Sequence, residues 1–351
     1  MKKLMLTTAL AGLVISGSAI AQTTISGELR TGFKAVSSKA TGGTTASNRG
    51  FGIEQQINFA TKGKLNVGGL DYAAGFSIEN DGVQTTSLFN ENNYIDITNA
   101  SSGTTISFSQ DHIQRSDTDR SAAVIFGYSP NDLSTNGVGT TLFDQTAGPG
   151  VGQSQSIALL QKLGDIGTFS YNYAPTLTDK STTTSTTGAG SSENLSETLE
   201  KSGYEVGFTG SLGVKGLDVA YFQSKQEKLT GEAVEAEGQY MGARYNMGAI
   251  TAGVAQKKYN DNAVATKIEV KEKHYGVSYA VNKDVSAMVL HATAEASDTA
   301  TRPSKQKVTS LQLGYNLGPV GLTVGVAKNT DIGGVAGQDS DMFFTRLIGA
   351  F

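Results

Sequence analysis

From residue 22 onward, apolar and polar residues alternate with a period of two in segment after segment, and no helical period of useful length appears. Phe169, Tyr171 and Tyr173 alternate with Ser170, Asn172 and Ala174, and Tyr204, Val206 and Phe208 with Glu205, Gly207 and Thr209. Leu70, Tyr72, Ala74, Phe76 and Ile78 stand against Asp71, Ala73, Gly75, Ser77 and Glu79; Leu311, Leu313, Tyr315 and Leu317 stand against Ser310, Gln312, Gly314 and Asn316. Successive side chains of a strand point to opposite faces, so this pattern predicts strands with one apolar and one polar face. Sixteen such segments occur, near residues 23–34, 51–60, 70–79, 93–98, 104–110, 154–163, 168–176, 203–212, 217–226, 238–247, 250–259, 270–281, 285–296, 307–317, 321–328 and 341–351. An even number of antiparallel strands can close into an up-and-down barrel.

The connections alternate between short and long. Four short ones resemble one another: Lys162 to Gly167, Ser211 to Gly216, Asn246 to Ala249 and Asn316 to Gly321. A phosphate-cradling loop would need a helix after its glycines, whereas strands flank these on both sides, so they read as hairpin turns. The long connections include 35–50, 80–92, 177–201 and 329–339, rich in Ser, Thr, Gly and Asn, and 181–192 is of low complexity, as expected of surface loops.

Which medium meets the apolar faces is decided by composition and by the first residues. Lys2 and Lys3, the apolar run Leu4 to Ile15 and the small-residue site Ala19-Ile20-Ala21 read as a secretory signal peptide over residues 1–21, cleaved near Ala21, and too short for a spanning helix. The remaining barrel domain, 22–351, is mildly acidic and has no basic cluster, which argues against nucleic acid as a partner. Cysteine is absent although the destination permits disulfides, and hydrophobic residues make up only 38 % of the chain against 43 glycines, a poor basis for one large dry core. A soluble sandwich would bury the uncharged apolar face. The polar and Gly-rich opposite face, the short/long alternation and a final strand running to Phe351 favour a closed barrel in lipid, where every backbone group is satisfied without an open edge.

On these features the chain resembles the general, trimeric porins of Gram-negative outer membranes, from Thr23-Thr24-Ile25-Ser26-Gly27-Glu28-Leu29-Arg30 to Phe351. The pair Tyr94 to Thr98 and Thr104 to Gln110 resembles the hairpin that precedes the family's inward-folded third loop, although Gly349 stands where such chains often carry an aromatic residue. The resemblance implies an all-β, 16-stranded antiparallel transmembrane barrel and passive diffusion of ions and small hydrophilic solutes. It further implies a homotrimer in contact through the first and last strands and residues 80–92, surrounded by outer-membrane lipid and lipopolysaccharide. Phe351 would be the signal to the barrel-assembly machinery. No cofactor or metal is expected.

By the same resemblance residues 111–153 form the constriction loop, with Asp111, Arg115, Asp117, Asp119 and Arg120 at the eyelet and the apolar run Ala122 to Phe126 packed on the inner wall. Opposing charge is expected from Arg30, Arg244, Arg346 and Lys162, in phase with the polar face. The acids in that phase, Glu28, Glu54, Asp71, Glu79, Asp96, Glu205 and Asp218, outnumber the bases, so a weak cation preference follows. A barrel hydrolase would need a histidine base, but His112, His274 and His291 enter no Ser-His-Asn arrangement that respects the phasing. A nutrient-specific channel for a sugar or phosphate is the closer rival. Phe222 and Tyr240, aromatics in lumen phase, are too few to form a sugar track.

Overall fold

The computed structural model describes residues 22–40, 42–43, 45–81, 89–110, 122–134, 141–143, 151, 154–175, 202–227, 235–261, 268–298 and 300–351. The first eight strands are β1 (Gln22–Lys39), β2 (Thr45–Lys64), β3 (Leu70–Asp81), β4 (Phe89–Asn99), β5 (Thr104–Gln110), β6 (Ser156–Lys162), β7 (Thr168–Ala174) and β8 (Gly203–Gly210). The second eight are β9 (Leu217–Gln226), β10 (Glu237–Met247), β11 (Ile250–Asp261), β12 (Ile268–Ala280), β13 (Val285–Ala296), β14 (Gln306–Asn316), β15 (Val320–Thr330) and β16 (Asp339–Ala350). One short helix, α1 (Pro130–Ser134), lies between β5 and β6. Every strand pairs antiparallel with its sequence neighbours, and β16 pairs back to β1, so the sheet is a closed barrel without an edge.

Closure is made by a continuous register from Glu28 opposite Ala350 to Lys39 opposite Asp339. It is finished by two reciprocal backbone bonds, Gly27 N to Phe351 O and Phe351 N to Gly27 O, both 3.0 Å. The short connections repeat one device: Asn246 Oδ1 accepts from the Gly248 amide and Asn316 Oδ1 from the Gly318 amide, each at 2.9 Å. Gly248 and Gly318 have φ of +84° and +92°, a region glycine enters without penalty. The short Asn-x-Gly repeats of the sequence are therefore hairpin turns at one end of the barrel.

Several strands run further toward the long-connection end than their alternation suggests. Residues 35–39 and 45–50, expected within a loop, continue β1 and β2, with Ser37 opposite Ser47 and Val36 opposite Asn48; β4 likewise begins at Phe89. Residues 45–50 of β2 are exposed on both faces and β1 buries only Val36 and Ser38 there, so the period-two signal fades while the backbone ladder continues. By contrast β5, β6 and β7 have seven residues each, leaving that side of the wall low.

The outward face carries Ile95, Ile106, Phe108, Ile157, Leu159, Tyr171, Val254, Val277, Val289, Leu311 and Val326, all between about 40 % and 55 % exposed, the apolar belt of a wall built to meet hydrocarbon. The inner face is dry on one side of the lumen. Met288, Leu290, Ala292 and Ala294 of β13, Val308 of β14 and Phe344 of β16 point inward and are fully buried, because residues of the β5–β6 connection cover them. β13 is consequently apolar on both faces from Ala287 to Leu290, which hides its alternation there, while beyond this it turns His291, Thr293 and Glu295 outward; the phase of His291, open in the sequence, is outward beside Tyr275 and Thr309.

The two faces predict different tolerances. Val289→Arg, on the lipid belt, should destabilise the barrel by about 2–4 kcal/mol in reversible folding into bilayers. Gly52→Lys, where an added side chain meets open space, should stay within about 0.5 kcal/mol of wild type.

Candidate functional site: the inner wall and the segment across it

The described residues of the β5–β6 connection cross the inner wall strand by strand. The Ala122 amide donates to Tyr240 Oη on β10 at 2.8 Å, and the carbonyls of Ala122 and Ala123 lie directly over Gly253 on β11 and Gly276 on β12. A Cβ at either glycine would overlap those backbone oxygens, so only glycine lets the segment approach so closely. Further along, the Phe126 ring lies over Gly314 on β14, and Gln312 brackets Tyr128, accepting from its amide at 2.9 Å and donating to its carbonyl at 3.0 Å. The amide side chain thereby takes the place of a missing strand neighbour.

Polar side chains of the wall hold the rest of the segment by its backbone. Lys34 Nζ donates to Asp132 O at 2.7 Å, Asn329 Nδ2 to Leu133 O at 2.8 Å, and the Leu142 amide to Gln306 Oε1 at 2.7 Å. Tyr259 Oη donates to Leu142 O. Leu133, Leu142 and Phe143 are buried in the apolar cluster with Met288, Leu290 and Phe344. Each such side chain contributes about 1.5–3 kcal/mol when removed from water, so apolar contact anchors the segment and the hydrogen bonds set its register.

A group of charges lies where the segment meets β1 and β16. Arg30 is clamped between Glu28 and Glu54, the latter at 2.6 Å. The Arg346 guanidinium lies 5.1 Å from the Tyr128 ring centroid and Lys34 Nζ lies 4.9 Å from it, so one aromatic ring gathers two cations. Arg30, Lys34, Arg346, Tyr128, Glu54 and Asp132 together line a cavity of about 630 Å³. Burial pushes the Tyr128 phenol above its ordinary value, partly offset by Arg346, so its hydroxyl stays protonated and donates to Thr345 O at 3.3 Å.

The residues singled out in the sequence separate into three groups. Arg30 and Arg346 face inward and belong to this cluster. Arg244 also faces inward but pairs with Asp218 at 3.3 Å near the short-turn end, and Lys162 is the exposed last residue of β6, beside the Gly103 turn at the same rim; the structure brings neither into the cluster. Asp111, Arg115, Asp117, Asp119 and Arg120 lie outside the described residues. Lys34 and Tyr128 were not anticipated. Lys34 shares the parity of Arg30 and was legible as the end of the first strand, whereas nothing in the sequence distinguishes Tyr128 from any other loop tyrosine.

Under the segment, Lys257, Glu272 and His274 form a buried group on β11 and β12. His274 Nε2 lies 2.8 Å and Lys257 Nζ 3.7 Å from Glu272 Oε2, and Phe143 closes over the imidazole with ring centroids 5.9 Å apart. Phe222 and Tyr240 stack at 5.7 Å, a single pair.

The glycine seats make a direct prediction. Gly276→Val should lift the segment from β12 and change single-channel conductance by more than about half, while Gly321→Val, with open space at its Cβ and outside the charged cavity, should leave conductance unchanged. Equal conductance for both variants would show that the seat does not position the segment.

Comparison with known proteins agrees with this geometry. A family model described as Gram-negative porin matches residues 7–332. No curated protein sequence matches the chain. Among solved structures, an anion-selective porin from Comamonas acidovorans superposes with a TM-score of 0.66 at 16 % identity, over 95 % of this chain and all of that one. A loop L8 deletion mutant of OmpT, an outer-membrane protein of Vibrio cholerae, gives 0.62 at 12 % identity over 94 % and 99 % of the two chains. OmpF of Salmonella typhi, solved with daunomycin, gives 0.61 at 11 % identity over 94 % and 97 %. These similarities fix the 16-stranded fold, and the family match fixes the class: the chain belongs to the Gram-negative porins, outer-membrane channel proteins rather than enzymes.

Proposed function

We propose that this chain is a passive diffusion channel for ions and small hydrophilic solutes, with residues 111–153 as its constriction loop. The observation that carries this reading is the meeting of Arg30, Lys34 and Arg346 with Tyr128 and Asp132 of the crossing segment inside the closed wall. Fixed bases on one side and acids beside them sort hydrated solutes by charge without covalent chemistry. Asp111, Arg115, Asp117, Asp119 and Arg120 would complete the eyelet, and Arg244 and Lys162 would act at the periplasmic mouth instead.

On the wall the inward acids Glu28, Glu54, Asp71, Glu79, Asp96, Glu205, Asp218 and Glu272 are balanced by Arg30, Lys34, Lys62, Lys64, Lys162, Arg244, Lys257 and Arg346, so a weak cation preference rests on residues 111–153, where Asp111, Asp117, Asp119, Asp132 and Asp144 outnumber Arg115 and Arg120. The secreted form begins after Ala21, three copies associate, and lipid surrounds the remaining outer wall. The trimer is supported by a solved OmpT of Vibrio cholerae described as a trimer form, which superposes with a TM-score of 0.58 at 12 % identity.

Single-channel recording in a planar bilayer under a salt gradient tests the reading. Ohmic steps in groups of three with a cation-signed reversal potential are expected. Removing positive charge in Lys34→Gln/Arg346→Gln should shift that potential further toward cations. An anion-signed potential would make the basic cluster the filter and overturn the acid count. Saturable block by one sugar or by phosphate would favour a nutrient-specific channel, and a well-inserted barrel without current would overturn the channel reading.

A further inference from the structure

The crossing segment also sits on a charged group that takes no part in the cavity beside Tyr128. On the inner wall Lys257 of β11 stands opposite Glu272 of β12, and His274 follows Glu272 on the same face. The side chains of Lys257, Glu272 and His274 are 1 %, 0 % and 1 % exposed. The Arg244–Asp218 pair on the same wall, at a similar separation of 3.3 Å, is 37 % and 68 % exposed. Two pairs of like chemistry thus live in opposite media. Over the buried one, Phe143 of the segment closes on the imidazole, and Tyr259 of β11 holds the Leu142 carbonyl beside it.

The described groups that face His274 can be named element by element. Its register neighbours are Ala255 on β11 and Ala292 on β13, and those of Glu272 are Lys257 and Ala294. Lys257 has Tyr240 of β10 on its other side, and Tyr259 is the next inward residue of β11. Lys271 and Lys273 share β12 but point outward. From the segment come Leu142 and Phe143, neither charged, and Asp144 after them lies outside the described residues. Imidazole is ordinarily neutral above about pH 6.5, which leaves one cation and one carboxylate in balance here. Protonation sets two cations against that carboxylate under an apolar cover. Uncompensated buried charge is strongly unfavourable and water relieves it, so the proton favours the arrangement that lets water reach the ring.

We propose that His274 is a positioning residue of the crossing segment: neutral, it lets Phe143 close and seats the segment on β11–β13, and protonated, it lifts Phe143 and loosens that seat. Histidine is the side chain whose charge ordinarily changes in the weakly acid range. For one proton, each pH unit below the midpoint shifts the balance by up to about tenfold toward the loosened form. The other attachments do not titrate. Gln312, Asn329 and Gln306 hold Tyr128, Leu133 and Leu142 through uncharged amides, so loosening begins at Phe143 while the β14–β16 side stays attached. Any effect on current rests on the reading of residues 111–153 as the constriction loop, whereas the seating itself does not.

Hydrogen exchange and single-channel recording on the folded full chain, each at about pH 7.5 and about pH 5, test the assignment. After correction for the intrinsic pH dependence of exchange, the amides of Ala122, Ala123, Leu142 and Phe143 should open about tenfold more often at the lower pH in wild type, while β13 stays protected. His274→Gln, which takes up no proton, should remove that difference, and Asp144→Asn should keep it. Lys257→Met supplies an independent variant: with one cation left to face Glu272 after protonation, the pH difference should shrink severalfold. Conductance should change between the two pH values in wild type and hold steady in His274→Gln. Exchange that is independent of pH in wild type, or equally pH-dependent in His274→Gln or undiminished in Lys257→Met, would overturn the role of His274. Loss of the difference in Asp144→Asn would move the titration to that carboxylate and overturn it as well. Exchange that responds to pH through His274 beside a conductance that does not would uphold the seat and overturn the constriction reading.

Discussion

Hydrocarbon supplies no hydrogen-bond partner, and the whole architecture follows from that. An unpaired backbone group facing lipid costs several kcal/mol, so a sheet in a membrane must close on itself. Here the β1–β16 seam accomplishes this, and the turns at one end hold neighbouring strands in antiparallel register. Once the ladder is closed, side chains divide by parity between two media. The apolar belt outside and the lumen inside are two readings of one alternating sequence, which is how a chain with so few hydrophobic residues and no cysteine remains folded.

The inner face then solves a second problem, how to hold a long connection inside a tube. Two kinds of contact divide the task. Gly253 and Gly276 remove side chains so that backbone rests on backbone, while Gln312, Asn329 and Gln306 offer amides that substitute for strand partners. Met288, Leu290, Val308 and Phe344 add a dry bed for Leu133 and Phe143. The segment is therefore attached to the β10–β16 side of the wall, and the cationic group of Arg30, Lys34 and Arg346 gathers where it meets β1.

Strand number, strand order and facing were legible because period two survives wherever one face meets lipid, as in Leu311 to Leu317 or Phe169 to Tyr173. The pattern failed at two kinds of place, for two physical reasons. Near Asn48 both faces of β2 are exposed, and β1 opposite sets a single buried Val36 among Ser37, Ser38 and Lys39, so strand and loop look alike in composition. In β13 the crossing segment buries an apolar inner face while the outer face passes from Val289 to His291 and Thr293, so neither face reads as the polar one near the middle of the strand, and His291 could not be phased. The inward facing of Arg30 and Arg346 was legible because both sit on strands of known parity, and Lys34, of the same parity as Arg30, was passed over at the end of the first strand. Tyr128 owes its place to contacts with Gln312, Arg346 and Phe344, all about two hundred positions away in the chain, and no local pattern records such contacts.

The Gly27–Phe351 pair also has a meaning in time. Its partners are separated by nearly the whole described chain, and the entire β1–β16 register is of the same kind. Contacts between distant residues form late, because the chain entropy between them must be spent first. Until β16 is in place, β1 and β15 both present raw edges, so no shorter piece of this barrel is a finished object that lipid can accept. The seam that makes the folded wall edgeless is thus the last part of it the chain can complete, and every stage before it leaves two rows of backbone groups for something other than this chain to satisfy.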